Sequence, residues 1–214
     1  MQAEDLFIDV RAIVFDFDGT LALTDRLPLP IETFREVAGP SRRDTCRSLI
    51  KRLDLGVAWR ELAGAVEREY ASRIAAGKVP VVESSLRFLD AIPRAKYHVI
   101  AASHSPMDIV ESLARRAGVD RHVDTILSGD ELPRKPDPEI YTAAIDLAAA
   151  RAWNVVIIES SKDGVTAAVR AGARVVACTN ELTRGQDMSA AHVQVGTLES
   201  LIPYLLWQDR RKKV

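Results

Sequence analysis

The stretch Ala12-Ile13-Val14-Phe15-Asp16-Phe17-Asp18-Gly19-Thr20 decides how this chain is read. A short apolar run that ends in an acid reads as a buried strand and its carboxyl end. Side chains alternate along an extended backbone, so Asp16 and Asp18 project to one side and Phe17 to the other. Two carboxylates held side by side repel unless a cation or a shared proton relieves them, and a fold keeps such a pair mainly for chemistry. Gly19 has no Cβ, which permits a positive φ or a close approach of the backbone to a ligand. The competing reading is a plain Asp-Gly turn after an acidic strand end.

Outward from that strand, apolar runs alternate with stretches of helical periodicity. Candidate strands are Ala12–Phe15, His98–Ala102, Asp124–Leu127, Val155–Ile158 and Arg174–Ala177. Ile109, Leu113 and Ala117 recur at four-residue steps between two of them, and the alanine-rich stretch Ala143–Ala152 reads as a packed helix. Alternation of this kind predicts an α/β fold, a Rossmann-like parallel sheet with helices on both faces. Ligands of such sheets bind outside the carboxyl ends of the strands, where Asp16, Ser103 and Glu159 all fall.

The alternation is interrupted once. From Thr24 to Lys78 no strand pattern occurs, and Pro28, Pro30 and Pro80 punctuate its edges. Trp59, Leu62, Val66, Tyr70 and Ile74 form an apolar helical stripe. The expected organisation is therefore a core of residues 1–23 and 79–214 with a small helical cap, 24–78, inserted after the first strand.

With 214 residues and 47% apolar composition, the chain can bury a sizeable core. Lysine plus arginine number 29 against 30 acidic residues, which argues against a dedicated nucleic-acid binder. No apolar run reaches the ~18 residues of a membrane span and the first residues lack a signal-peptide pattern, so a cytoplasmic protein without a membrane partner is expected. Cys46 and Cys178 lack metal-ligand spacing and read as free thiols. The closing Asp-Arg-Arg-Lys-Lys-Val reads as a solvated tail.

Three further motifs stand in order after Asp16-Phe17-Asp18-Gly19-Thr20. They are Ala101-Ala102-Ser103-His104-Ser105, Arg134-Lys135-Pro136-Asp137-Pro138, and Ile157-Ile158-Glu159-Ser160-Ser161-Lys162-Asp163-Gly164. Together they resemble the haloacid dehalogenase superfamily, over roughly residues 11–178 and including the cap position. The resemblance implies that Asp16 is a nucleophile forming an aspartyl-phosphate. It implies Mg²⁺ held by the Asp16 side chain and the Asp18 main-chain carbonyl, and Asp18 as general acid and base. Lys135 would neutralise the phosphate, with Gly19, Thr20, Ser103 and His104 around it. Ser105-Pro106 reads as an N-cap and first helical residue, and Lys135-Pro136 as a helix start with an acidic first turn.

The last motif departs from the pattern. Close relatives usually carry Glu-Asp where this chain has Glu159-Ser160, and that aspartate is a direct metal ligand. Serine offers a neutral oxygen, so Asp163 or an inward-moving Glu159 is left to complete the site, or metal binding is weakened or lost. Retention of an acid at Asp18 matches the phosphatases and phosphomutases of the superfamily, whereas its dehalogenases and phosphonatases lack one. Gly39-Pro40-Ser41-Arg42-Arg43-Asp44 resembles a cap stretch of β-phosphoglucomutase in which the arginine grips a phosphate, a role that would fall to Arg42. Arg43, Arg47 and Lys51 also stand at four-residue steps, a pattern equally given by a solvated helical face. The short cap and the sequence after Asp25 favour a phosphatase acting on a small phosphorylated metabolite. A phosphosugar mutase is the alternative, and a non-catalytic binding protein the second.

Overall fold

The computed structural model describes residues 1–23, 42–76 and 81–205, with the backbone alone at 42–44, 67, 70–71 and 73–75. Strand β1 (Ala12–Asp16) is buried along its whole length, as its apolar run requires. β2 (His98–Ser103), β3 (Thr125–Ser128), β4 (Val155–Glu159), β5 (Arg174–Cys178) and β6 (Val193–Val195) join it in one sheet of order β3-β2-β1-β4-β5-β6. All pairings are parallel. The chain first builds outward from β1 on one side, then crosses over to β4 on the other. Strand order therefore reverses beside β1, where open α/β sheets form their ligand crevice.

The five predicted strands are all present, four of them extended by one residue at the carboxyl end and β3 shifted by one. β6 is the addition. It has three residues, none of them buried, so it carries too little apolar pattern to be read from sequence.

Alternation along β1 separates two layers. Ala12 and Val14 join Ile100, Ile157 and Val175 in a core packed against α5 (Glu139–Leu147) and α6 (Lys162–Arg170). On the opposite parity, Phe15 meets Phe88 of α3 (Glu83–Ala91) edge-on at 6.0 Å, and Phe88 in turn meets Phe7 at 6.4 Å. Asp16 shares the parity of Val14, so it emerges on the α5–α6 side, whereas Phe17 is fully buried on the other.

Three helix boundaries differ from the sequence expectation. α4 (Met107–Ala117) begins one residue after Pro106, which keeps an extended ψ of 146° and stands as N-cap itself. α5 begins at Glu139 rather than at Pro136, because Pro138 occupies its N-cap position and Asp137 accepts the Glu139 amide at 3.0 Å. Lys135 thus lies in a turn that separates it from the helix, rather than directly before the first helical turn. The alanine-rich stretch is helical only to Leu147; Ala149 takes the left-handed conformation, φ 47°, so that the chain can reverse toward β4. A non-glycine residue there is strained, and its side chain is exposed. Ala149→Gly is expected to raise stability by about 1 kcal/mol in urea denaturation, the relief exceeding the added unfolded-state entropy.

The chain divides into two compact units, Met1–Leu23 with Pro80–Val214, and Thr24–Val79. In the second unit, α1 (Arg42–Leu53) and α2 (Trp59–Ala75) pack on each other, with Cys46, Leu49 and Ala63 buried. Pro28, Pro30, Pro80, residues 39–41 of the cap motif and the side chains of Arg42, Arg43, Tyr70 and Ile74 lie outside the described residues, as does the basic tail. Among the described residues no helix is long and apolar enough to cross a membrane.

Candidate active site

Register sets the site. Asp16 pairs with Ala102, one residue before Ser103, and Phe15 pairs with Ile158, one before Glu159. The carboxyl ends of three adjacent strands therefore present Ser103, Asp16 and Glu159 side by side. Lys135 reaches in between the last two: its Nζ donates to Asp16 Oδ1 at 2.5 Å and to Glu159 Oε1 at 2.6 Å. Its ammonium also lies 5.0 Å from the centroid of the Tyr141 ring, a cation–π contact.

Beyond Asp16 the chain folds back on itself. Gly19, at φ 88°, lets its amide donate to the Ala22 carbonyl at 2.7 Å, while the Leu21 and Ala22 amides both donate to the Phe17 carbonyl. This turn aims Thr20 at the site, where its hydroxyl donates to Asp16 Oδ2 at 3.1 Å. Ser85 and Asn180 fix the turn from outside through the carbonyls of Thr20 (2.6 Å) and Gly19 (2.9 Å). Asp18 is turned to Ser103, whose hydroxyl donates to its carboxylate and accepts the Ser105 amide at 3.0 Å. The two aspartates of one strand end thus have different surroundings, a buried one beside an ammonium and a half-buried one beside a hydroxyl.

Those surroundings set the charges. Burial, then the neighbouring Glu159 carboxylate, push the Asp16 carboxyl well above the usual range, against the opposing pull of Lys135. Burial disfavours the Lys135 ammonium too, but Asp16 and Glu159 overcome it and hold the group protonated. Burial alone would raise Glu159; the Lys135 charge and hydrogen bond, with donors from Tyr141 and Ser161, outweigh it and keep that carboxylate ionised. His104 donates from Nε2 to the Pro133 carbonyl at 3.1 Å, and burial together with the Lys135 charge lowers its pKa to about 4. Its imidazole is therefore neutral at physiological pH.

Glu159 has no exposed surface and both its oxygens are engaged. Oε1 accepts from Lys135 and from the Tyr141 hydroxyl; Oε2 accepts from the amides of Ser160 (2.9 Å) and Ser161 (3.2 Å) and the Ser161 hydroxyl (3.2 Å). Gly164, in the first turn of α6, makes room for it: a Cβ there would stand 1.9 Å from the Glu159 carboxyl carbon. Gly164→Ala normally favours a helix, yet here it should destabilise by about 2–3 kcal/mol and depress activity, because the helix or the carboxylate must move. Thermal melting and a hydrolysis assay check both effects.

The structure gathers Asp16, Asp18, Gly19, Thr20, Ser103, His104, Lys135, Glu159 and Ser160 at one sheet edge. Asp163 is exposed on the first turn of α6 and makes no hydrogen bond or ion pair among the described residues. The Arg42 side chain lies outside the described residues. Tyr141 and Asn180 carry no sequence signal and Gly164 only its place in the fourth motif: Tyr141 sits in an apolar helical pattern, and neither of the other two shows its partner except in three dimensions.

Among the described residues no three His, Cys, Asp or Glu side chains form a metal-binding group. The donor set nevertheless suits a hard cation that keeps much of its water. Asp16 stands in a buried site beside the Glu159 and Asp18 carboxylates with one ammonium, Lys135, against them, an excess of negative charge that adds to burial in raising its pKa. A divalent ion held by the Asp16 carboxylate and the Asp18 main-chain carbonyl would relieve it.

This arrangement of strand ends has known relatives. The sequence profile of the haloacid dehalogenase-like hydrolases matches residues 10–172, and the chain belongs to that family. It is 28% identical over 200 residues to a phosphorylated carbohydrates phosphatase of Thermotoga maritima, covering 85% of this chain and 91% of the relative. It is 27% identical to phosphoglycolate phosphatase 1 of Pseudomonas aeruginosa, covering 90% and 79%. The crystal structure of CbbY from Rhodobacter sphaeroides with phosphate superposes with a TM-score of 0.78 at 22% identity, covering 90% of this chain and 96% of that one. At that identity the likeness is one of fold.

Proposed function

We propose that this enzyme is a Mg²⁺-dependent phosphomonoesterase that acts on a small phosphorylated metabolite through an aspartyl-phosphate at Asp16. The observation that carries the reading is the divergence of the two aspartates, one buried against Lys135 and one turned to Ser103, since distinct surroundings for paired acids assign distinct roles. The phosphatase names of the two sequence relatives support the substrate class.

Asp16 attacks phosphorus, and the bond to the leaving oxygen breaks as Asp18 gives that oxygen its proton. Asp18 then takes a proton from water, which attacks the acyl-phosphate and returns Asp16 as a carboxylate. Ser103 and Lys135 hold the phosphoryl oxygens, Ser103 exchanging its bond to Asp18 for one to the substrate. When bound, Mg²⁺ supplies screening of the carboxylate–phosphate repulsion and alignment of the transferring group.

Phosphate release from an aryl phosphate, lost on chelation, tests the reading directly. Product analysis with glucose 1-phosphate and a bisphosphate primer separates a hydrolase, which yields free phosphate, from a mutase. Ser160→Asp places an anionic oxygen at the end of β4, and it should lower the Mg²⁺ concentration for half-maximal activity by about tenfold. An unchanged Mg²⁺ requirement would mean that position 160 does not face the ion.

A further inference from the structure

The sheet's opposite edge carries a second concave site. A cavity of about 650 Å³ is lined by Asp9, Arg11, Lys96, Ala149, Arg151 and Asn154, with Val10 and Ala150 completing the wall. It lies where three strands begin: Arg11 immediately precedes β1, Lys96 stands just before β2, and Asn154 precedes β4. The same strands end at Asp16, Ser103 and Glu159, so this cavity and the candidate active site occupy opposite ends of one set of strands.

Its charge is lopsided. Three cationic side chains share the wall with a single carboxylate, Asp9, whose field also acts on the Arg174 guanidinium. Arg11 and Arg151 are exposed, and neither has an ion-pair partner among the described residues. Clustered like charges in a concave surface focus a positive potential and concentrate anions there.

Hydrogen bonds tie the frame together. The Arg11 amide donates to the Asn154 carbonyl at 2.8 Å, the His98 amide to the Arg11 carbonyl at 2.9 Å, and the Asn154 amide to the Arg151 carbonyl at 2.8 Å. The Asn154 side chain ties down the Asp9 carbonyl at 2.8 Å. Two corners of the cavity, Asp9 (φ 55°) and Ala149 (φ 47°), hold left-handed backbone without being glycine.

From these features we infer that the cavity binds a small organic polyanion bearing phosphate groups, bridged between Arg11 and Arg151 with Lys96 beside them. Arginine's planar fork suits phosphate oxygens, and the volume falls within the range of small-ligand pockets. The inference does not depend on the catalytic reading.

Calorimetric titration of the full chain with inorganic phosphate, in Mg²⁺ buffer at low ionic strength, tests it. One binding event is expected at this cavity, beside any at the candidate active site. Arg11→Gln with Arg151→Gln should weaken it at least tenfold and leave any event at the active site, along with phosphate inhibition of aryl-phosphate hydrolysis, unchanged. Lys135→Ala should weaken only an event at the active site. Thermal melting of the double variant confirms its fold, which replacement of two exposed side chains should preserve. Phosphate binding in which no event responds to the double substitution overturns the inference.

Discussion

Asp16→Asn is expected to lower phosphate release by on the order of 10⁴-fold or more, with the protein still folded and still binding its substrate. The amide keeps the volume of the carboxylate and one acceptor oxygen, so Thr20 and the Gly19 turn retain their geometry. What disappears is the proposed nucleophile. The amide also removes one of the buried negative charges that push against one another, so Asp16→Asn should be at least as stable as the parent chain in urea denaturation. Lost activity with undiminished stability is the signature of a group held for chemistry at a cost to the fold. A variant that keeps substantial activity would remove Asp16 from the nucleophile's role.

Lys135→Ala has the second largest effect, and it falls on stability as well as rate. Both partners of the ammonium are shielded, with side-chain exposures of 5% for Asp16 and 0% for Glu159, so its removal leaves two buried carboxylates without their cation. Breaking such a pair from one side costs about 3–5 kcal/mol. In the intact protein the ionised Glu159 contributes stability above the unfolded carboxylate pKa, lost as pH falls through its depressed folded value. Without Lys135 the folded pKa of Glu159 rises above its unfolded value and that of Asp16, already raised, rises further, so the folded state binds more protons than the unfolded. The deficit should then be largest near neutral pH and shrink as pH falls toward about 4. Urea denaturation across that range checks the sign. A loss below about 1 kcal/mol that does not vary with pH would mean that the buried ion pair does not form. Turnover should fall by on the order of 10²–10³-fold, because the phosphoryl oxygens lose a fixed positive charge.

Much of this was legible in the chain because its determinants are local. The continuous apolar runs of β1 and β4 give buried parallel strands, and the two-residue repeat puts Asp16 on the side of Val14. What was not legible depends on contacts across the sheet. Whether Glu159 faces outward or inward is decided by Gly164, by Tyr141 and by Lys135, up to 24 residues away, and none of these relations has a signature in a single sequence. Asn180 reaches Gly19 across 161 positions. The helix starts differ from the sequence reading for a local reason: Pro106 and Pro138 both occupy N-cap positions, one residue before the first helical one.

Asp16 becoming phosphorylated is the claim from which the rest follows. Rapid quenching during turnover of an aryl phosphate, followed by borohydride reduction and peptide mapping by mass spectrometry, reads it directly. An acyl-phosphate on Asp16 is reduced to homoserine, so the peptide spanning residues 12–20 should carry that change only when substrate was present. Turnover with an unmodified Asp16, or with the modification on another residue, would contradict the account.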